Sequence, residues 1–148
     1  DCLIGESSVV PLAADNFADL AELESMSLAE RGAYWDACFA RCLRCYACRQ
    51  VCPACTCRSC VFDRQSPPWV SKKASLGENT VFHLTRAFHV AGRCVDCGAC
   101  DRACPMDIDL NVLTRDMVKD VQEVFGYTAG VNLEEKQPLA APAGAKTS

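Results

Sequence analysis

Apolar positions recur at helical spacing in three stretches of the chain. Leu28, Trp35, Phe39 and Cys42 share a side of a helix predicted from Leu28 to about Arg41. The preceding Ser27-Leu28-Ala29-Glu30 has the form of a capping box, in which the serine oxygen takes the Glu30 amide and the glutamate reaches back. Val81, Leu84, Phe88 and Ala91 share a face of a second helix, from about Thr80 to Ala91, which Gly92 ends. Asp109 is placed to cap a third, from Leu110 to about Phe125. Its predicted inner face is Leu110, Leu113, Met117, Val121 and Val124, and Gly126 stops it. No segment alternates clearly with a period of two, so the predicted fold is all-α.

The remaining stretches carry weaker patterns. Val9-Val10-Pro11 reads as a short strand end, and Asn16 to Leu23 as one or two helical turns. Residues 61–79 hold Ser66-Pro67-Pro68-Trp69, Lys72-Lys73 and Gly77. They read as an irregular surface linker, because the proline pair cannot continue a helix. From Gln137 to Ser148 no periodicity remains, and this tail is expected to be disordered or to lie on a partner.

Composition changes this picture in one respect. The chain has 148 residues, enough for one domain, but its 50% apolar fraction includes 13 cysteines. The organic core is therefore modest, and something else must help to hold the fold. No apolar run approaches the roughly 20 residues of a membrane-spanning helix. A net charge of −4 disfavours nucleic acid and anionic lipid as partners. The chain opens on no arginine-rich leader or secretory apolar stretch. Cysteines three apart, in threes, are too crowded to pair with each other without strain. They suit metal ligation in a reducing compartment, and the expected location is the cytoplasm.

The cysteine spacing repeats. Cys42, Cys45, Cys48 and Cys52-Pro53 match Cys94, Cys97, Cys100 and Cys104-Pro105, and each copy follows a predicted helix. This is C-x2-C-x2-C-x3-C-P twice, the two-cluster iron–sulfur pattern in which the fourth cysteine of each run serves the other cluster. Three thiolates at this spacing wrap a tight loop around one face of a cubane, and the proline turns the fourth toward the neighbouring site. The expected ligands of cluster one are Cys42, Cys45, Cys48 and Cys104, and those of cluster two are Cys94, Cys97, Cys100 and Cys52. Tetrahedral zinc also accepts C-x2-C, but has no use for the third and fourth cysteines and the proline in both copies. Arg41, Arg44, Arg49, Arg58, Arg93 and Arg102 lie in or beside the motifs. They either offset cluster charge or are ordinary solvated side chains.

Cys2, Cys38, Cys55, Cys57 and Cys60 remain. Cys55, Cys57 and Cys60 form a possible third metal site, zinc or iron–sulfur, with a fourth ligand from Cys38, Cys2 or a partner. The alternative is small residues packed beside cluster one. His83 and His89 read as surface or core residues. Trp35, Trp69 and Tyr46 read as packing around the clusters.

The motifs RCLRCYACRQVCPACTCRSC, FHLTRAFHVAGRCVDCGACDRACPMDIDLNVL and VFGYTAG resemble a known group, over about two-thirds of the chain. They are similar to the dicluster region of the β subunit of deazaflavin-coenzyme hydrogenase and formate dehydrogenase, and to heterodisulfide-reductase-associated iron–sulfur proteins. The second motif also resembles the α-helical ferredoxin module found in iron–sulfur subunits of succinate dehydrogenase and of heterodisulfide reductase. The resemblance implies an all-α, α-helical ferredoxin-like dicluster domain with irregular extensions. The expected division is an N-terminal docking extension at 1–26, a dicluster domain at 27–133 and a tail at 134–148. The long segment between Cys52 and Cys94 exceeds what a compact βαββαβ ferredoxin needs. Only about 40 residues precede Cys42, too few for a flavin domain in this chain.

Three functions compete. The first is an electron-transfer subunit with two 4Fe-4S clusters, relaying electrons between a catalytic redox subunit and an acceptor such as a flavoprotein or ferredoxin. Such a subunit is not itself catalytic. The second is a redox enzyme using a third metal site at Cys55, Cys57 and Cys60 on a thiol or disulfide. The third is a structural zinc protein.

Overall fold

The computed structural model describes residues 17–132 and 134–140. Every regular element among the described residues is helical, as the period predicts. Val9-Val10-Pro11, Asn16, Cys2 and the tail beyond Ala140 lie outside the described residues.

A 3-10 turn at Ala18–Leu20 leads into α1 (Ala21–Ser25). Leu20 and Leu23 are buried here, so the short helical stretch foreseen between Asn16 and Leu23 exists but runs on to Ser25. The capping box forms as predicted. Ser27 Oγ accepts from the Glu30 amide at 3.3 Å, and Glu30 Oε2 accepts from the Ser27 amide at 2.8 Å. It opens α2 (Leu28–Ala40), which buries Cys38 and Phe39. Leu28 is 88% exposed and leaves the predicted face, because the first turn of α2 projects beyond the core.

Each cysteine motif folds as a loop ending in one helical turn, α3 (Ala47–Gln50) in the first and α5 (Ala99–Arg102) in the second. Between them, residues 61–75 are irregular apart from a 3-10 turn at Val61–Asp63, whose Phe62 anchors the segment in the core. Then α4 (Leu76–Val90) begins four residues before the predicted start, with Ser75 at its N-cap. The last helix, α6 (Leu110–Phe125), has the predicted limits, and Gly126 ends it at φ 63°.

Asp109 stands at the α6 N-cap, but its side chain makes no capping bond. Asp101 of α5 supplies the cap instead, accepting from the Asn111 amide at 2.6 Å. The second cysteine loop is thereby fastened to the helix that follows it. In space α4 packs against both α2 and α6, and α3 lies beside α5. Arg115 and Lys119 of α6 pair with Asp19 and Glu24, which draws the N-terminal turns onto α6. Gln137 donates to the Ala91 carbonyl at 3.2 Å, so the start of the C-terminal segment sits at the end of α4.

Candidate metal centre

The two cysteine loops have the same backbone conformation. Arg44 and Asp96, at equivalent positions, have φ of 51° and 53°. Tyr46 and Gly98, also equivalent, both have φ 63° and ψ 8°. A left-handed residue just before each short helix turns the third cysteine inward: Cys48 and Cys100 are buried, while Cys45 and Cys97 are exposed. Glycine fits this position without steric cost, whereas a side chain costs about 1–2 kcal/mol. In the first loop Tyr46 packs edge-on against Phe82 at 5.1 Å, and the Arg49 guanidinium lies 4.7 Å from its ring centre.

Cys42, Cys45 and Cys48 share one cavity with Cys104-Pro105 of the second loop, closed by Phe82 and His83 of α4. On the other side, Cys94 lies in the field of Cys52 and Cys97. The proline-bearing end of each loop thus reaches the other loop's cysteines. Beside Cys52 sits Cys55, and the two sulfurs share a proton. The Cys55 thiol donates to the Cys52 sulfur, and the amides of Ala54 and Cys55 also point at it. These contacts outweigh burial and hold Cys52 down to about 5, while Cys55 is pushed far up.

Burial pushes the thiols of Cys42, Cys94 and Cys100 above their ordinary value, and Cys48 up to about 11. A thiol that coordinates a metal is deprotonated outright, so the buried positions favour a cationic guest over free thiolates. Among the described residues, no three His, Cys, Asp or Glu side chains converge tightly enough to hold a single ion. A zinc ion gathers its ligands at about 2.0–2.3 Å, whereas a cubane spreads four thiolates over four irons. Cys55, Cys57 and Cys60 line a separate cavity of about 190 Å³ with Arg49, Arg86, His89 and Arg93. Cys38 is buried in the main core, as a packing residue.

The surroundings of the loops depart most from the sequence reading on α4. Of the predicted apolar face, Val81, Leu84 and Phe88 are 44, 41 and 65% exposed, and Ala91, just past the end of α4, is buried. The opposite face is inward, and besides Phe82, Ala87 and Val90 it buries Asn79, His83 and Arg86. These polar groups are buried because the loops offer them partners. Asn79 Nδ2 donates to the carbonyls of Phe39 and Cys42 at 2.9 and 2.8 Å. His83 Nε2 lies 3.2 Å from Cys42 Sγ, with its ring stacked on Phe39 at 4.7 Å. Burial, then the nearby charge of Arg86, push His83 down to about 4, so the imidazole is neutral near pH 7. Arg86 donates to the Cys48 carbonyl at 3.3 Å. Burial opposes its charge, but the thiols of Cys48, Cys100, Cys52 and Cys55 surround it and raise its pKa.

Neither His83 nor Arg86 was assigned a site role from sequence. The signal was available in the spacing: Asn79, His83, Arg86 and Val90 fall on one face of a helix strung between two cysteine motifs. The motif arginines divide. Arg44 is buried 3.6 Å from Glu78, and Arg49 pairs with Asp63 at 2.8 Å. Arg102 caps the Cys97 carbonyl at 3.0 Å, while Arg58 is simply exposed.

Comparison with known proteins agrees with this geometry. Residues 41–109 match the family described as 4Fe-4S dicluster domain. Over 128 residues, 86% of this chain, the sequence is 33% identical to the F420-dependent formate dehydrogenase subunit beta of Methanocaldococcus jannaschii, covering 32% of that protein. It is 30% identical over 134 residues, 90% of this chain, to the F420-dependent formate dehydrogenase 1 subunit beta of Methanococcus maripaludis, covering 33% of that protein. The chain spans about a third of the length of these curated relatives. The repeated motif, the helical fold and the paired loops accord with the match of 41–109 to the 4Fe-4S dicluster domain.

Proposed function

We propose that this chain is an electron-transfer iron–sulfur subunit holding two 4Fe-4S clusters. Cluster one takes Cys42, Cys45, Cys48 and Cys104, and cluster two takes Cys94, Cys97, Cys100 and Cys52. The observation that carries this reading is the shared cavity: three cysteines of one loop open onto the fourth cysteine of the other. The nearness of Cys52 to Cys94 supports the second set. Each cluster supplies one-electron chemistry, and the protein supplies spacing, insulation and docking. Phe39, Phe82 and His83 keep water from the buried side of the first loop, while exposed Cys45 and Cys97 bring each site close to the surface.

The relatives are β subunits of formate dehydrogenases, and a catalytic redox subunit is accordingly the proposed partner, with a flavoprotein or ferredoxin as acceptor. Among the described residues no helix is long and apolar enough to cross a membrane. We place the complex in the cytoplasm of an anaerobic cell, with residues 27–133 as the dicluster unit and the flanks as docking segments. A second reading adds a third metal group at Cys55, Cys57 and Cys60, and rests on the cavity these three thiols share.

Iron, zinc and acid-labile sulfide per chain, measured after anaerobic reconstitution, test both. About eight irons, eight sulfides and no zinc support two cubanes. About twelve irons, or eight with one zinc, support the third group, and zinc without iron overturns the electron-transfer reading. Cys48→Ser is expected to impair cluster one and spare cluster two, whereas Cys52→Ser impairs cluster two from within the first run. Loss of the Cys42 site in Cys52→Ser would refute the crossed ligation.

A further inference from the structure

Each cysteine loop carries an apolar residue between its first two cysteines, Leu43 in one and Val95 in the other, and both are exposed. Their surroundings differ. At the second loop the chain returns over Val95: Gly130 lies so close that a Cβ there would meet Val95 Cγ1 at 3.4 Å. The charges beside it are engaged, Asp96 by Arg115 and Arg102 by the Cys97 carbonyl at 3.0 Å.

At the first loop a groove of about 650 Å³ stays open. Leu43, Tyr46 and Phe62 line it, together with residues of the segment 64–72. Tyr46 and Phe62 are held edge-on against Phe82 at 5.1 and 5.0 Å. The segment is fastened to the loop by the buried Arg44, whose guanidinium donates to the carbonyls of Ser71 and Lys73, the latter at 2.8 Å. Glu78 holds it from the other side, accepting from the Ser71 amide at 2.7 Å. The carboxylates here are matched, Asp63 by Arg49 at 2.8 Å and Glu78 by Arg44 at 3.6 Å. Arg64, Lys72 and Lys73 are exposed, and no carboxylate among the described residues pairs with them. Trp69, 54% exposed, adds an apolar side chain to the same segment.

An apolar centre within a charged rim is the anatomy of a protein interface. Three unmatched cations gather here on a chain whose net charge is −4. They attract an acidic surface, while the acidic remainder of the chain repels a polyphosphate backbone. Resting on the two-cluster reading, we infer that this groove is the docking site for the acidic face of a separate redox protein, which exchanges electrons with the cluster at Cys42, Cys45, Cys48 and Cys104 across the edge formed by Leu43 and Cys45. Each exchange moves one electron between that cluster and the partner's own centre, and no bond forms or breaks. The cations steer the encounter, so their effect falls on association and is screened by salt.

The test uses the full chain, reconstituted anaerobically, reduced and freed of excess reductant. It is mixed in a stopped-flow cell with an oxidised rubredoxin of acidic pI. An electron leaving the chain converts the probe's ferric iron to ferrous, which bleaches it. The second-order rate constant should fall as sodium chloride rises from about 20 to about 300 mM. At equal iron content, Lys72→Glu should lower the low-salt rate constant severalfold, and adding Arg64→Glu should bring the loss to about tenfold. Both losses should shrink at high salt. Lys136→Glu makes the same charge change next to Gln137, which bonds Ala91 at the far end of α4, a helix length of about 22 Å from Lys72. It should stay near wild type. An oxidised cytochrome c of basic pI should not be slowed by Lys72→Glu. The inference is overturned if Lys72→Glu has no effect, if Lys136→Glu matches it, or if the basic probe slows equally. A chain that sediments as a dimer and becomes monomeric on Lys72→Glu also overturns it, because the groove would then hold a second copy. Failure of the two-cluster reading looks different: wild type would carry fewer than about eight irons and deliver fewer than two electrons to either probe.

Discussion

Helices α4 and α6 flank the same cysteine loops, yet they obey opposite rules. The amphipathic pattern of α6 is the ordinary one: Leu110, Leu113 and Val121 are buried, and the charged residues face out or pair across to the N-terminal turns. On α4 the apolar residues Val81, Leu84 and Phe88 point away from the core, and Asn79, His83 and Arg86 point into it. The difference comes from what each helix meets. The second loop delivers Ile108 straight into the core beside Leu110 and Leu113 of α6, an apolar contact. The first loop presents carbonyls and sulfurs to α4, and a buried carbonyl without a donor costs about 1–3 kcal/mol. Polar residues win those positions because they satisfy groups that a leucine would strand.

The largest expected effect tests that claim directly. Asn79→Leu would leave the Cys42 carbonyl without its donor and the Phe39 carbonyl with the Cys42 amide alone, at about 1–3 kcal/mol for the stranded Cys42 group. Leu113→Ala on α6 loses packing and opens a cavity, a change that costs about 2–5 kcal/mol in cores. Urea denaturation of the reconstituted chain, followed by far-ultraviolet circular dichroism, should place the two variants close together. If Asn79→Leu is neutral while Leu113→Ala is not, the polar face of α4 is incidental to stability.

Much of this was legible in the sequence, and the illegible part has one cause. Spacing alone located α2 and α6, the Ser27 capping box and both cysteine loops, since each depends on neighbours within a few residues. The inward face of α4 depends on Phe39 and Cys42, far away in the chain, so periodicity chose the apolar side and chose wrongly. The same holds for the cap of α6. Asp109 is the local candidate, but Asp101 reaches the helix only because the second loop folds back on it.

A smaller effect sharpens the comparison from the outer side. Replacing Val81, Leu84 and Phe88 together by serine would gut the core if the apolar pattern of α4 faced inward. With that face exposed, each change should stay within about 0.5 kcal/mol in the isolated chain. A drop of several kcal/mol in the same urea experiment would mean that α4 is rotated by half a turn from the arrangement described.

The smallest expected effect concerns Val124, where α6 also breaks its pattern, but for another reason. Val124 shares the helix side of Met117 and Val121, so its phase is right, yet it is 72% exposed. The lower core around Val121 consists of Ala91 and Tyr127, and the final turn of α6 runs past them into open surface. Periodicity reports direction and says nothing about how far the neighbouring elements extend. Val124→Ser should therefore lower the stability read from urea denaturation by no more than about 0.5 kcal/mol, whereas Val121→Ser, one turn earlier on the same side, should cost several times more. Equal losses at the two positions would mean that something covers the end of α6, and the contrast between a helix exposed by rotation and one exposed by overreach would fall.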